Sequence, residues 1–209
     1  MLSAVRLNPN VEWYVARASG LVAWGLLATT VLWGLVYAGR LTRKVPPPAW
    51  NLDLHRFLGG LSVVFVGVHV LALAADRYVE FGFTQILVPM ASGWRPGSVA
   101  WGITAMYLLV AVELTSLAKR RLPKKIWRAV HLLSFVLFVF STVHAIQSGT
   151  DLANPVVRVV GIGLITLAVA AAGLRIARTR HVVGPAPAPS TVAAVGATAE
   201  RPPAMSSMR

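Results

Sequence analysis

A membrane-crossing helix needs about 20 consecutive apolar residues, and this chain holds five stretches of that kind. The first lies between Arg17 and Arg40 and carries Leu21, Val22, Leu26, Leu27, Val31, Leu32 and Leu35. The second lies between Arg56 and Asp76, dense in valine and leucine from Leu61 to Leu71. The third runs from Ser98 to Leu117, with Glu113 as its one acidic residue, near its end. The fourth, between Arg128 and Asp151, is rich in Leu and Phe, and the fifth covers Pro155 to Leu174. Arg158 stands in the first turn of that last stretch, where its side chain can reach the interface. The runs are continuous rather than alternating, so they predict helices and not barrel strands. The expected fold is an all-α membrane bundle of about five helices.

The charges between the spans give a direction. Five crossings place Arg40, Arg43, Lys44, Arg56, Lys119, Arg120, Arg121, Lys124, Lys125, Arg128, Arg175, Arg178 and Arg180 on one side. The other side has Arg6, Arg17, Arg77, Arg95 and Arg158, diluted by Glu12, Asp76, Glu80 and Asp151. Basic loops stay in the cytoplasm. The chain is thus expected in the cell membrane, with its N-terminus outside and its C-terminus in the cytoplasm. Residues 1–17 read as a short extracytoplasmic N-terminus without the pattern of a cleavable signal. Residues 18–178 form the membrane domain. Residues 179–209, with Gly184-Pro185-Ala186-Pro187-Ala188-Pro189, read as a disordered Ala/Pro-rich cytoplasmic tail.

Composition agrees. Of 209 residues 56% are hydrophobic and 13% charged, and the mean hydropathy is +0.66. A net charge of +13 would suit nucleic acid if the basic residues lined one soluble face, but here they mark topology. No nucleic-acid partner is expected; the surrounding partner is membrane lipid. With no cysteine, disulfides, iron–sulfur clusters, c-type haem and thiol catalysis are all excluded.

Four of the five histidines fall on two spans: His55 and His69 on the second, His131 and His144 on the fourth. Ionisable side chains inside a membrane are costly and usually face the bundle interior. His55 and His69 are 14 positions apart, a rise of about 21 Å that returns both rings to within about 40° of one face. His131 and His144 are 13 apart, a similar rise with an offset of about 140°. The offset implies either a distorted fourth helix or two sites at different azimuths. The second and fourth spans run in the same direction. His55 then pairs with His131 toward the cytoplasm, and His69 with His144 toward the outside. A b haem takes an axial imidazole on each face, and each pair can supply both. Gly59, Gly60 and Gly67, between the histidines of the second span, leave room for a flat ring or for helix packing. Arg56 and Arg128 stand near the cytoplasmic pair, as haem-propionate partners or as plain topology anchors. Arg17, Arg77, Arg95 and Gln147 are weaker candidates for the same task at the other end.

Two histidine pairs with thirteen and twelve intervening residues, on two helices separated by one, resemble the ferric-reductase-like transmembrane domain. That superfamily includes ferric reductases, NADPH oxidases and the haem subunit of a bacterial methionine sulfoxide reductase system. The stretches Leu54-His55-Arg56-Phe57, Trp127-Arg128-Ala129-Val130-His131 and Val143-His144-Ala145 carry the resemblance. The segment from Trp13 to Gly20 is similar to the opening of actinobacterial members. The resemblance implies that His55, His69, His131 and His144 ligate the iron of two b haems, which carry electrons across the membrane. It implies an oxidoreductase membrane subunit that works with a partner. Members commonly have six helices against the five expected here. After the fifth span there is no G-x-G-x-x-G and no room for a dinucleotide fold. A cytoplasmic flavin reductase or a membrane quinol would therefore supply electrons, for delivery to an extracytoplasmic acceptor.

Two other functions compete. A non-haem transporter or proton-pathway protein would use the buried histidines as relays, with acidic partners at mid-membrane. Glu113 is the sole acid in a span. A non-haem metal site would need ligands a turn apart, as in H-x-x-x-H, and the closest histidines within a span are 13 apart.

Overall fold

The structure is a computed structural model that describes residues 11–38, 48–76 and 81–182. These fall in two compact units, one through Gly173 and one from Leu174 on, the second holding the described residues 174–182. Five long helices dominate: α1 (Val11–Ala38), α2 (Pro48–Ala75), α4 (Pro96–Leu117), α5 (Lys124–Ser148) and α6 (Pro155–Val182). A short α3 (Phe83–Leu87) lies between α2 and α4. The five long helices are long and apolar enough to cross a membrane, as the uncharged runs require. Together with the lipid-compatible surface described next, they make this a multi-pass membrane protein.

Exposed apolar side chains follow from that solvent. Val64, Leu71, Val139, Val159 and Val169 are all open on the helix surfaces, where lipid rather than water is the expected neighbour. The small core instead gathers Leu27, Ala28, Val31 and Leu35 of α1 with Leu109 of α4 and Leu137 and Phe138 of α5. Buried hydroxyls do not go unmet. Thr30 donates to the Leu26 carbonyl at 2.7 Å and Ser62 to that of Leu58 at 2.8 Å, each within its own helix. The helices can thus carry hydroxyl side chains inside the bundle, each satisfied by its own backbone.

Helix pairing positions the histidines. α1 packs along α2 and α4 along α5, while α1 also meets α5. Trp24 of α1 donates through Nε1 to Thr142 of α5 at 3.0 Å, and Trp33 through Nε1 to the Asn51 carbonyl of α2 at 3.1 Å. α2 and α5, which carry the four histidines, do not pack closely on each other. Their facing side chains bridge a gap.

The helix ends differ in detail from the uncharged runs. α1 begins by Val11, so Arg17 lies within a helix rather than before one. α6 continues to Val182, past the expected start of the tail at residue 179. Residues 183–209 lie outside the described residues, as do Arg40, Arg43, Lys44, Arg77 and Glu80. The azimuthal offset on the fourth span is not taken up by a break, since α5 is continuous from Lys124 to Ser148.

Candidate functional site: two opposed histidine pairs

The four histidines meet in two pairs across the gap. His55 of α2 faces His131 of α5 with ring centroids 6.0 Å apart and planes at 66°. His69 faces His144 at 6.3 Å and 78°. These are the pairings that the spacing along the second and fourth spans implies.

The second nitrogen of each ring decides what the first can do. His69 Nδ1 lies 2.7 Å from the Ala16 carbonyl oxygen of α1, and His144 Nδ1 lies 2.8 Å from that of Ser98 on α4. A carbonyl can only accept, so both Nδ1 atoms carry the proton and both Nε2 atoms present a lone pair. Ser148 adds a hydroxyl 3.3 Å from His144 Nδ1 and is itself hydrogen-bonded to the Ser98 hydroxyl. At the other pair the hold is looser. His131 Nδ1 is 3.5 Å from Ser116 Oγ. His55 Nδ1 is buried facing the Thr30 backbone without closing a hydrogen bond among the described residues. No Nε2 takes part in a hydrogen bond among the described residues.

Neighbouring glycines make the seats. A Cβ on Gly20 would stand 2.9 Å from His69 Nδ1, one on Gly34 3.2 Å from His55 Cε1, and one on Gly102 2.7 Å from His144 Nδ1. All are well inside normal carbon contact, about 3.5–4.0 Å. On α1, Gly20 and Gly34 are 14 residues apart, as are Ala16 and Thr30, matching the 14 residues between His69 and His55 on the antiparallel α2. Gly20 and Gly102 each stand four residues after the residue whose carbonyl meets the imidazole. This pattern was present in the sequence, but it makes sense only once the partner helix is known. Gly59 instead accommodates Glu113, whose Oε1 would be 2.6 Å from a Cβ there. Gly60 and Gly67 have nothing within 4 Å of that position.

A cavity of about 330 Å³ opens at the His69–His144 pair, with Trp13, Trp24, Phe81 and Trp94 among its lining. Arg17 and Arg95 reach it as well. Arg17 pairs with Asp151 and lies over the Trp13 ring at 4.2 Å. Arg95 donates to the Gln147 carbonyl at 2.6 Å from a left-handed backbone (φ 42°, ψ 59°), a conformation in which side chains are strained. At the His55–His131 end the two expected arginines are both on the surface. Arg56 is 63% exposed and 3.9 Å from Asp53, and Arg128 is exposed. What sequence reasoning missed there is Trp127, stacked on His131 with centroids 5.2 Å apart and planes at 23°.

Two imidazoles brought together from separate helices are a donor set suited to a metal taking axial nitrogens from two sides. The 6.0 and 6.3 Å spacings leave room for a nitrogen–metal bond of about 2 Å on each side. No cluster of three or more metal-ligating side chains occurs among the described residues.

Comparison with known families places these features. The family described as ferric reductase like transmembrane component matches residues 18–142, from within α1 to most of α5. His55, His69 and His131 fall within the match, and His144 lies two residues beyond it. Neither a curated protein nor a solved structure matches the chain. With more than half of its length matched, the chain belongs to the ferric-reductase-like transmembrane family.

Proposed function

We propose that the protein carries electrons across the membrane through two b haems, one held by His55 and His131 and the other by His69 and His144. The observation that carries this reading is the pairing of the imidazoles at 6.0 and 6.3 Å, with no Nε2 engaged elsewhere among the described residues. Membership of the family supports the same electron-transfer role. Bound haem supplies reversible one-electron chemistry at iron. The chain's own part is to fix ligand orientation, exclude water and set the path. Carbonyl bonds from Ala16 and Ser98 hold the His69 and His144 tautomers and raise their basicity. The roughly 21 Å of helix between His55 and His69 brings the two sites to opposite leaflets.

The positive-inside rule puts the His55–His131 end in the cytoplasm, beside Lys119, Arg120, Arg121, Lys124 and Lys125. Electrons would come from a cytoplasmic flavoprotein or a membrane quinol, and leave to an acceptor outside. Single alanine substitutions of the four histidines test the ligand set. Loss of one haem per substitution is expected, with the other retained when His69 or His144 is replaced. Full haem content in all four variants would defeat the assignment.

A further inference from the structure

Trp127 Nε1 is buried with no hydrogen-bond partner among the described residues. An indole N–H can only donate, and a buried donor left unmet is costly enough that an acceptor is normally present. Two neighbours indicate what acceptor. The indole stacks on His131 at 5.2 Å, which ties it to the histidine pair. Lys119 Nζ lies 4.1 Å from the centroid of the same indole, so a full positive charge adjoins the orphaned donor. A donor in the ring plane and an ammonium over the ring face can converge on one anion, and charge-assisted bonds of this kind are the strong ones. Because the donor is buried beside an imidazole, the anion should belong to whatever that imidazole ligates. A b haem bears two propionate carboxylates and no other anionic group.

We propose that Trp127 Nε1 and Lys119 Nζ hold a carboxylate of the haem at the His55–His131 site, in place of Arg56 and Arg128. This rests on the haem reading given above. It accounts for the one buried donor that the helix packing leaves unmet on α5 and assigns a task to the Lys119–Trp127–His131 stack. Arg56 lies 3.9 Å from Asp53 instead, and both it and Arg128 are exposed.

The test uses the full chain in lipid nanodiscs, in a His144→Ala background so that one haem reports. Trp127→Phe keeps a ring to stack on His131 and removes only the N–H; Lys119→Gln removes the charge. Two readouts are followed: the haem-propionate bending band in the resonance Raman spectrum, and the rate of haem loss to apomyoglobin. Trp127→Phe is expected to shift the band and to speed haem loss roughly tenfold, the scale of one charged hydrogen bond. Lys119→Gln should do the same to a smaller degree, and it decides the matter if Trp127→Phe does not fold. Arg56→Gln and Arg128→Gln should change neither readout. An unchanged band and loss rate in Trp127→Phe would overturn the proposal, as would a shift produced only by the arginine variants. So would an unchanged band accompanied by lost affinity for anionic lipid, which would give the donor to a lipid phosphate. Absence of haem from the unsubstituted protein is a separate result, which would instead defeat the reading on which the proposal rests.

Discussion

His144 shows how a candidate ligand is made from ordinary parts. Its ring lies in a space that exists because residue 102 is glycine, and its Nδ1 is met by the carbonyl of Ser98 one turn earlier. Gly102→Ala would put a methyl 2.7 Å from the ring and force it out of place, an overpacking cost of about 1–3 kcal/mol. We expect that variant to lose the haem at the His69–His144 site and keep the other, halving the Soret absorbance per protein. Gly25→Ala, with nothing within 4 Å of its new methyl, should keep both. Gly34→Ala should be milder than Gly102→Ala, since its contact is 3.2 Å and with the edge of His55. The pairing of the histidines was legible in the sequence, because a histidine in a membrane has few inexpensive reasons to be there. Their seats were not, since a glycine in a membrane helix is as readily a packing residue as a cradle. Sequence places Arg56 beside His55, but adjacent helical residues point about 100° apart, and Arg56 turns outward to Asp53.

At the scale of elements, charge marked the helix ends well where polar residues cluster, as at Lys119 to Lys125 between α4 and α5. It failed at α1, where Glu12 and Arg17 lie within the helix. Arg17 is accommodated there because Asp151 neutralises it and Trp13 covers it. The short α3 carries too few residues for any period to show, and exposed Phe83, Leu87 and Val88 give it no buried face to betray it. The basic clustering from which orientation is expected belongs to the loops rather than to the packing. A cysteine placed at Thr84 should be labelled by an impermeant maleimide from outside intact cells, and one at Arg121 only after permeabilisation. The reverse pattern would invert the bundle and exchange the leaflets of the two histidine pairs.

For the molecule as a whole, the decisive feature is a gap. α2 and α5 are held apart by the α1–α2 and α4–α5 pairs, and the facing histidines sit between them in two levels. Hydrophobic patterning foretold five helices but not this spacing, because lipid-facing and gap-facing apolar residues look alike in sequence. Under the proposed function, the basic turn from Lys119 to Lys125 would be the docking surface for an acidic flavoprotein. Steering of that kind is screened over about 8–10 Å at moderate salt. Reduction of the haems by such a partner should slow with ionic strength and with Lys124→Glu and Lys125→Glu in stopped-flow measurements on oriented vesicles. Indifference to both would favour a membrane quinol as donor. The central claim is that two opposed histidine pairs each ligate one haem. It is tested most directly by the reduced-minus-oxidised spectrum of the purified protein, calibrated by haem and protein assay. The account predicts a b-type spectrum with two haems per chain and low-spin, bis-imidazole character at both; a protein purified intact from haem-replete cells without haem would contradict it.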